Sequence, residues 1–161
     1  MTRTLTGVAL AVMFIIAAAA QAQTPPDLTG TWHLNQDKSG ASVGGNGVSV
    51  VFSSEIVMKQ NPTELQMTAS GFRQDPVTAL FKLDGSDVAL QAPRGITDTG
   101  HATFEGRDLV ITHKRSFTSP LGETVVQFKE IYSVNGNELT VTKTQTDDSG
   151  TATAKAVYDK V

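Results

Sequence analysis

The sequence predicts an all-β protein, a single antiparallel up-and-down meander of about ten strands closed into a barrel. One hairpin pattern occurs four times: four turn residues, with Gly or Pro second and an acidic residue last, followed by alternating apolar residues. The copies lie at 59–68, 82–90, 103–112 and 133–142. Turns of this kind join half-buried strands that are neighbours in the sheet. We therefore expect positive φ angles at turn glycines such as Gly85 and Gly136, where glycine has no steric cost.

The strands are predicted from alternating apolar residues bounded by turn residues. They cover 30–34, 50–60, 64–70, 76–83, 87–91, 99–104, 108–116, 124–134, 138–146 and 151–160. Most connections are short, which favours pairing between sequence neighbours. An open sheet of this size would keep two edges and a bare apolar face, so closure into a barrel is preferred over a sandwich. The Gly- and Ser-rich stretch 37–47 is expected to hold a short helix or a flexible lid.

The first 22 residues have the features of a secretory signal. Arg3 supplies a positive start, Leu5 to Ala20 is apolar, and Ala20-Gln21-Ala22 is a small-x-small cleavage site. The apolar run is shorter than the roughly 20 residues of a membrane-spanning helix. No cysteine follows it, which excludes a lipid-anchored form. We expect cleavage before Gln23, no membrane insertion afterwards, and a secreted or periplasmic domain at 23–161.

Composition narrows the classes of partner. The chain has no Cys, so no disulfide framework is expected. There are 13 Lys and Arg residues against 16 Asp and Glu residues, and loss of Arg3 with the signal moves the formal net charge from −3 to −4. This balance argues against binding to nucleic acid or to anionic membrane surfaces. The 139 residues that remain suit one domain with a hydrophobic core. Nothing in the sequence indicates a protein partner.

The segment Leu28-Thr29-Gly30-Thr31-Trp32 resembles the Gly-x-Trp opening of the lipocalin and wider calycin barrels. The resemblance implies structural roles for Gly30 and Trp32, with the indole packed across the closed end of the barrel. The Asp-Gly and Asn-Gly hairpins and the Thr-rich last strands make the chain similar to bacterial exported lipocalin-like proteins. Trp32 is the only Trp, so the several-Trp ligand site of avidin-like barrels is not implied.

The hairpin register predicts a polar cluster on the inner wall. Pairing Val134 with Leu139 aligns Glu130 with Lys143, and both then face inward beside the apolar residues of the same strands. The predicted ligand-binding residues that follow from this register are His113, Arg115, Glu130, Tyr132, Lys143 and Gln145. Two interpretations stay open: the cluster orients a ligand's head group, or it is a salt bridge near the barrel mouth, with Glu130 and Lys143 as a cross-strand pair.

Catalysis, metal binding and cofactors are not predicted. The chain has no Gly-x-Ser-x-Gly motif and no visible nucleophile arrangement. The register turns His113 inward and His101 outward, and His33 lies on another strand, so the three do not form a metal site. The Gly-rich stretch at 44–47 is not a phosphate-binding loop. We therefore expect no cofactor, no metal and no enzymatic activity.

The last strand offers Ala152, Ala154 and Ala156 to the interior and ends at Tyr158. Small side chains along one wall leave room inside a barrel. The predicted function is therefore non-catalytic binding of a small, largely apolar or amphipathic ligand. The alternative is a filled barrel that acts through its surface as a protein-binding module, such as a periplasmic inhibitor or assembly factor.

Overall fold

The computed structural model describes residues 24–40, 50–71, 75–120 and 122–161. The predicted signal peptide and residues 41–49, most of the predicted 37–47 loop, lie outside the described residues. The strands are β1 (Gly30–Asn35), β2 (Glu55–Gln60), β3 (Glu64–Ser70), β4 (Val77–Lys82), β5 (Val88–Ala89), β6 (Ile96–Glu105), β7 (Asp108–Ser119), β8 (Gly122–Asn135), β9 (Glu138–Asp147) and β10 (Gly150–Lys160). In these ranges we find no helix whose length and apolar character would let it span a bilayer.

The ten strands form one antiparallel sheet in the order β4-β3-β2-β1-β10-β9-β8-β7-β6-β5. The first and last strands pair, with Trp32 opposite Lys160, and the remaining neighbours follow the chain. The sheet curls until β4 lies close to β6, so the two edges, β4 and β5, face each other across a narrow seam. The predicted fold class is confirmed as a nearly closed up-and-down barrel.

The predicted hairpins at 59–68, 103–112 and 133–142 are confirmed, whereas the one at 82–90 is wrong, because β4 and β5 are the two edges of the sheet and do not pair. The predicted register of the last hairpin is also confirmed. Val134 lies opposite Leu139 and Glu130 opposite Lys143. The φ angles are positive at the turn glycines, 81° at Gly85 and 61° at Gly136. Because the side-chain period of a strand is 2, this register decides which residues point into the barrel.

The strand that was predicted at 50–60 begins only at Glu55, so its first five residues were assigned wrongly. Val50 is buried against Ala152 and Ala154, and Phe52 packs beside them. Val50 and Phe52 are therefore packed against the inner wall, whereas Val51 is exposed. This part of the chain occupies space that the small alanine side chains leave.

Two other strands differ from the prediction. The segment predicted at 87–91 contains only the two paired residues Val88–Ala89. The strand predicted at 99–104 starts earlier, at Ile96, and its added residues continue the pairing with β7. Both differences concern the region beside the seam, where pairing is decided by how the sheet curves.

One end of the barrel, here called the lead-in end, contains the start of β1 and the four repeated turns. Trp32 is fully buried there, and its Nε1 donates a hydrogen bond to the Leu28 carbonyl at 3.0 Å. The Lys160 ammonium lies 5.1 Å from the Trp32 ring centroid. Gly30 has φ +147°, and a Cβ there would come within 2.5 Å of the Lys160 Cε. Glycine thus leaves room for the Lys160 side chain, whose ammonium lies over the indole.

Candidate functional site

Five charged or ionisable side chains meet on the inner wall toward the other end of the barrel, the mouth end. Strands β6 to β9 supply them, and they are here called the inner cluster: Asp98, His113, Arg115, Glu130 and Lys143. The register places Asp98 opposite Arg115 and Glu130 opposite Lys143. Every second residue of these four adjacent strands points into the barrel, so the five side chains meet on one inner wall.

Asp98 is the most buried member, with only 2% of its side chain exposed. Its Oδ1 lies 2.8 Å from His113 Nδ1, and its Oδ2 accepts from Arg115 Nε at 2.9 Å. Arg115 Nη2 lies 2.8 Å from the same Oδ2. Two cross-strand partners thus compensate a carboxylate that would be costly to bury alone.

Glu130 has a separate set of partners. Its Oε1 lies 2.8 Å from Lys143 Nζ, and its Oε2 accepts a hydrogen bond from the Tyr132 hydroxyl. Burial raises the pKa of the Glu130 carboxyl, but the Lys143 charge and the hydrogen bonds from Lys143 and Tyr132 outweigh it, so the net pKa is lowered. Burial and the Glu130 charge raise the pKa of Tyr132 well above its ordinary value. Glu130 is therefore an anion and Tyr132 a neutral donor.

The His113 imidazole lies between the carboxylates of Asp98 and Glu130. Its Nε2 lies 4.0 Å from Glu130 Oε1, on the opposite side of the ring from Asp98. The imidazole stacks on Phe128, with the ring centroids 4.3 Å apart and the planes 8° from parallel. Gly100 lies directly opposite, and a Cβ there would be 2.6 Å from the His113 Cβ and 2.9 Å from the Thr112 carbonyl oxygen. The absence of a side chain at Gly100 lets the histidine sit close to β6.

Two cations converge on the Phe128 ring. Arg115 Cζ lies 5.5 Å and Lys143 Nζ 5.3 Å from its centroid, within the range of cation–π attraction. The Arg115 side chain is 40% exposed and the Lys143 side chain 20%. Within the described residues Arg115 uses Nε and Nη2, which leaves its Nη1 group free to donate. The cluster can therefore present positive charge to an anion without first breaking its own ion pairs.

The structure brings together five of the six predicted ligand-binding residues: His113, Arg115, Glu130, Tyr132 and Lys143. Gln145 lies opposite Phe128 on the same inner face, but its side chain contributes none of the hydrogen bonds within the cluster. Asp98 was not among the predicted site residues because the predicted strand began at residue 99. Extending the inward alternation of Ala102 and Gly100 by one further step would have placed Asp98 opposite Arg115.

The other two histidines lie on the outer face. His101 Nδ1 is 3.1 Å from Asp87 Oδ1, and His33 Nε2 is 2.8 Å from Glu55 Oε2. Among the described residues, no three His, Asp or Glu side chains are arranged to hold a metal ion. The three histidines thus have separate carboxylate partners, and only His113 faces the interior.

An open groove of about 710 Å³ lies apart from the inner cluster, at the lead-in end. Asp27 and Asp84 are its only charged lining residues, and each carboxylate accepts hydrogen bonds from its own turn, at Thr29 and Ser86. Among the described residues, no buried charged side chain lines this groove. We place the candidate site at the inner cluster because converging polar groups in an apolar wall are what orient a small ligand.

No protein-family model and no curated protein matches the chain. Solved structures that are similar in fold include the following two. The zebrafish ileal bile acid-binding protein, complexed with cholic acid, has a TM-score of 0.56 and 18% identity over 83% of this chain and 98% of its own. A secretory abundant heat soluble protein from Ramazzottius varieornatus has a TM-score of 0.56 and 20% identity over 87% of this chain and 99% of its own. At these identities the likeness concerns the fold alone, that of an antiparallel β-barrel.

Proposed function

We propose that this protein binds a small amphipathic ligand, without catalysis, inside the mouth half of the barrel. The ligand's polar or anionic end lies at the inner cluster. The observation that carries the proposal is the convergence of Arg115 and Lys143 on the Phe128 ring, with part of each cation accessible. Charge-assisted hydrogen bonds from such groups are among the strong ones, and the arginine fork can hold a carboxylate through two donors.

The wall around these cations suits an apolar ligand body. Ala69, Ala79 and Val126 face inward and are only half-buried, and Phe117 at the end of β7 is exposed. The lead-in half, by contrast, is filled by fully buried side chains such as Leu65. The ligand is therefore expected in the mouth half, above this filled core.

The fold comparison adds support by analogy. The zebrafish barrel was solved with cholic acid, a small amphipathic molecule. Because one fold hosts many functions, this raises the expectation without identifying a ligand for this chain. We also propose that residues 1–22 direct export to a secreted or periplasmic location. N-terminal sequencing of the exported protein is expected to find Gln23 first, and an intact Met1 on a membrane-bound form would contradict this.

A protein-binding module remains the second candidate. Leu80 is exposed on the outer face of β4, the edge strand at the seam, and the lead-in half of the barrel is solid. A single exposed leucine is common on protein surfaces, so this observation carries less weight than the inner cluster. Binding of no apolar probe by the wild-type barrel would make this candidate the better account.

The test of ligand binding is titration with a fluorescent fatty-acid probe. We expect Arg115→Leu to weaken binding by about 10- to 100-fold, because a hydrogen bond to a charged group contributes about 1.5–3 kcal/mol. Thr142→Leu is the matched control, since Thr142 lies on the outer face of β9 between Ile131 and Lys155. Circular dichroism of both variants checks the fold. Equal affinities of the two variants would place the head group elsewhere.

A further inference from the structure

We propose that the ligand is a monoanionic amphiphile and that its binding is coupled to uptake of one proton by His113. The proposal rests on the proposed function and adds the charge of the ligand and its dependence on pH. It is carried by the position of the imidazole between two carboxylates, within 2.8 Å of Asp98 and 4.0 Å of Glu130.

The charge of the cluster is the first step. The two carboxylates of Asp98 and Glu130 balance the two cations of Arg115 and Lys143, so with a neutral His113 the cluster has no net charge. A monoanion entering this half-buried site would leave one uncompensated negative charge, which is costly away from water. A proton on His113 restores the balance. A ligand with a second negative charge would again leave one negative charge without a compensating positive charge.

The second step is the atom that accepts the proton. A carboxylate can only accept a hydrogen bond, so the neutral imidazole bonds Asp98 through a proton on Nδ1. Nε2 then carries the lone pair and faces Glu130 Oε1. A proton taken from solvent by Nε2 turns this repulsive contact into an attractive one, and no covalent bond to carbon is made or broken.

The surroundings determine the sign of the coupling. The charged and titratable groups facing His113 are Asp98 on β6, Arg115 on β7, Glu130 and Tyr132 on β8, and Lys143 on β9. Next to β9, β10 presents the apolar Ala152 and Ala154 opposite Gln145 and Lys143, and the Tyr158 hydroxyl of the same strand interacts electrostatically with Glu130. An anion held by Arg115 and Lys143 offsets their positive charge near the imidazole, so the anion favours protonation.

Linkage makes the effect reciprocal: if the bound anion favours the proton, the proton favours the anion. Histidine ordinarily changes charge between about pH 5 and 8. The affinity for a permanently ionised monoanion is therefore expected to rise as the pH falls through this range, by up to about tenfold per pH unit for one coupled proton. A neutral amphiphile of the same chain length should bind with an affinity that does not depend on pH.

Isothermal titration calorimetry with decanesulfonate, which stays ionised throughout, tests the proposal. Titrations of the wild-type protein at pH 8, 7 and 6, each in two buffers of different ionisation heat, measure the Kd and the number of protons taken up. We expect tighter binding at lower pH and net proton uptake, with a pH-independent Kd for 1-decanol. Decanesulfonate binding with a constant Kd and no proton uptake overturns the coupling but leaves the proposed function intact.

The matched variants are His113→Gln and His101→Gln. The glutamine at 113 keeps a donor for Asp98 but takes up no proton, whereas His101 has a comparable carboxylate partner on the outer face. We expect only His113→Gln to lose the pH dependence and the proton uptake. An unchanged pH dependence in His113→Gln would overturn the proposal. If that variant does not fold, the wild type decides: net proton uptake on binding supports the proposal, and no uptake overturns it. Failure of both decanesulfonate and 1-decanol to bind would overturn the proposed function as well.

Discussion

The two halves of the barrel use the same inward positions for opposite purposes. Along β7, Leu109 and Ile111 are buried apolar residues at the lead-in end, whereas His113 and Arg115, the next inward positions, belong to the inner cluster. The alternation of inward and outward residues continues along the whole strand, so the apolar and the charged side chains lie on the same inner wall. Strand alternation thus decides which residues face inward, while partners of opposite charge on neighbouring strands decide where charged groups are tolerated.

The two halves also differ in how their polar groups are satisfied. In the main hydrophobic core, the Trp32 N–H and the Tyr158 hydroxyl both donate to backbone carbonyls, and most of the other side chains are apolar. At the mouth end, two carboxylates depend on side chains from neighbouring strands. We therefore expect mutations in the first half to reduce stability alone, and mutations in the second half to depend on pH and on the partner residue.

The largest effect is expected at the lead-in end. Trp32→Ala should lower the free energy of unfolding by about 3–5 kcal/mol, as removal of a large core aromatic does. The indole is fully buried and its hydrogen bond to Leu28 is lost with it. Urea unfolding measures the change, with Thr142→Ala on the outer face as the control, expected within about 0.5 kcal/mol of wild type. A loss below about 1 kcal/mol for Trp32→Ala would mean that this half is not the stabilising one.

The next effect tests the partner dependence of the mouth half. Lys143→Met keeps most of the side-chain volume but leaves Glu130 without its cation, which should cost about 2–3 kcal/mol at pH 7. The double variant Glu130→Gln/Lys143→Met should recover part of this loss, because no uncompensated charge remains. Unfolding of the two single variants and the double variant measures the coupling. Simple additivity would show that the pair does not interact.

A smaller effect is expected where the halves meet, at Gly100. Gly100→Ala places a methyl group 2.6 Å from the His113 Cβ, so the strands must shift, at a cost of about 1–2 kcal/mol. The imidazole should also move off Phe128, which a changed histidine chemical shift would report. Gly122→Ala is not a suitable control because of its positive φ, so Thr142→Ala is used again. An unchanged His113 environment would show that the glycine does not position it.

The smallest effect is expected for the contribution of Glu130 to stability at acidic pH. Its pKa is lowered in the folded protein, so its contribution to stability is present above the ordinary carboxyl pKa of about 4.3 and is lost as the pH falls through the folded value. The wild type should therefore lose more stability than Glu130→Gln when the pH is lowered below about 4.3. Thermal unfolding from about pH 6 to about pH 3, on both sides of that pKa, measures the difference. Glu123→Gln, at the exposed start of β8, should follow the wild type.

Much of the candidate site could be predicted from local sequence. The inward position of Glu130 and its pairing with Lys143 follow from the turn at 135–138, because a short hairpin turn specifies the register of both strands. Asp98 could not be assigned in the same way, since the predicted strand began at residue 99, three residues after its observed start at Ile96. Its strand begins beside the seam, far from the nearest repeated turn, where local turn residues give no indication of where pairing starts.

The sequence by itself determined the number of strands, the hairpin register and the face on which each side chain lies, because these depend on turn residues and on a period of 2. Only the tertiary structure decided that β1 pairs with β10, that the edges meet at β4 and β5, and that Val50 packs on the alanines of β10. These contacts join residues that are distant in the chain, and their geometry depends on the twist and closure of the whole sheet. For the same reason, the distances that join His113 to two carboxylates became visible only in the folded barrel.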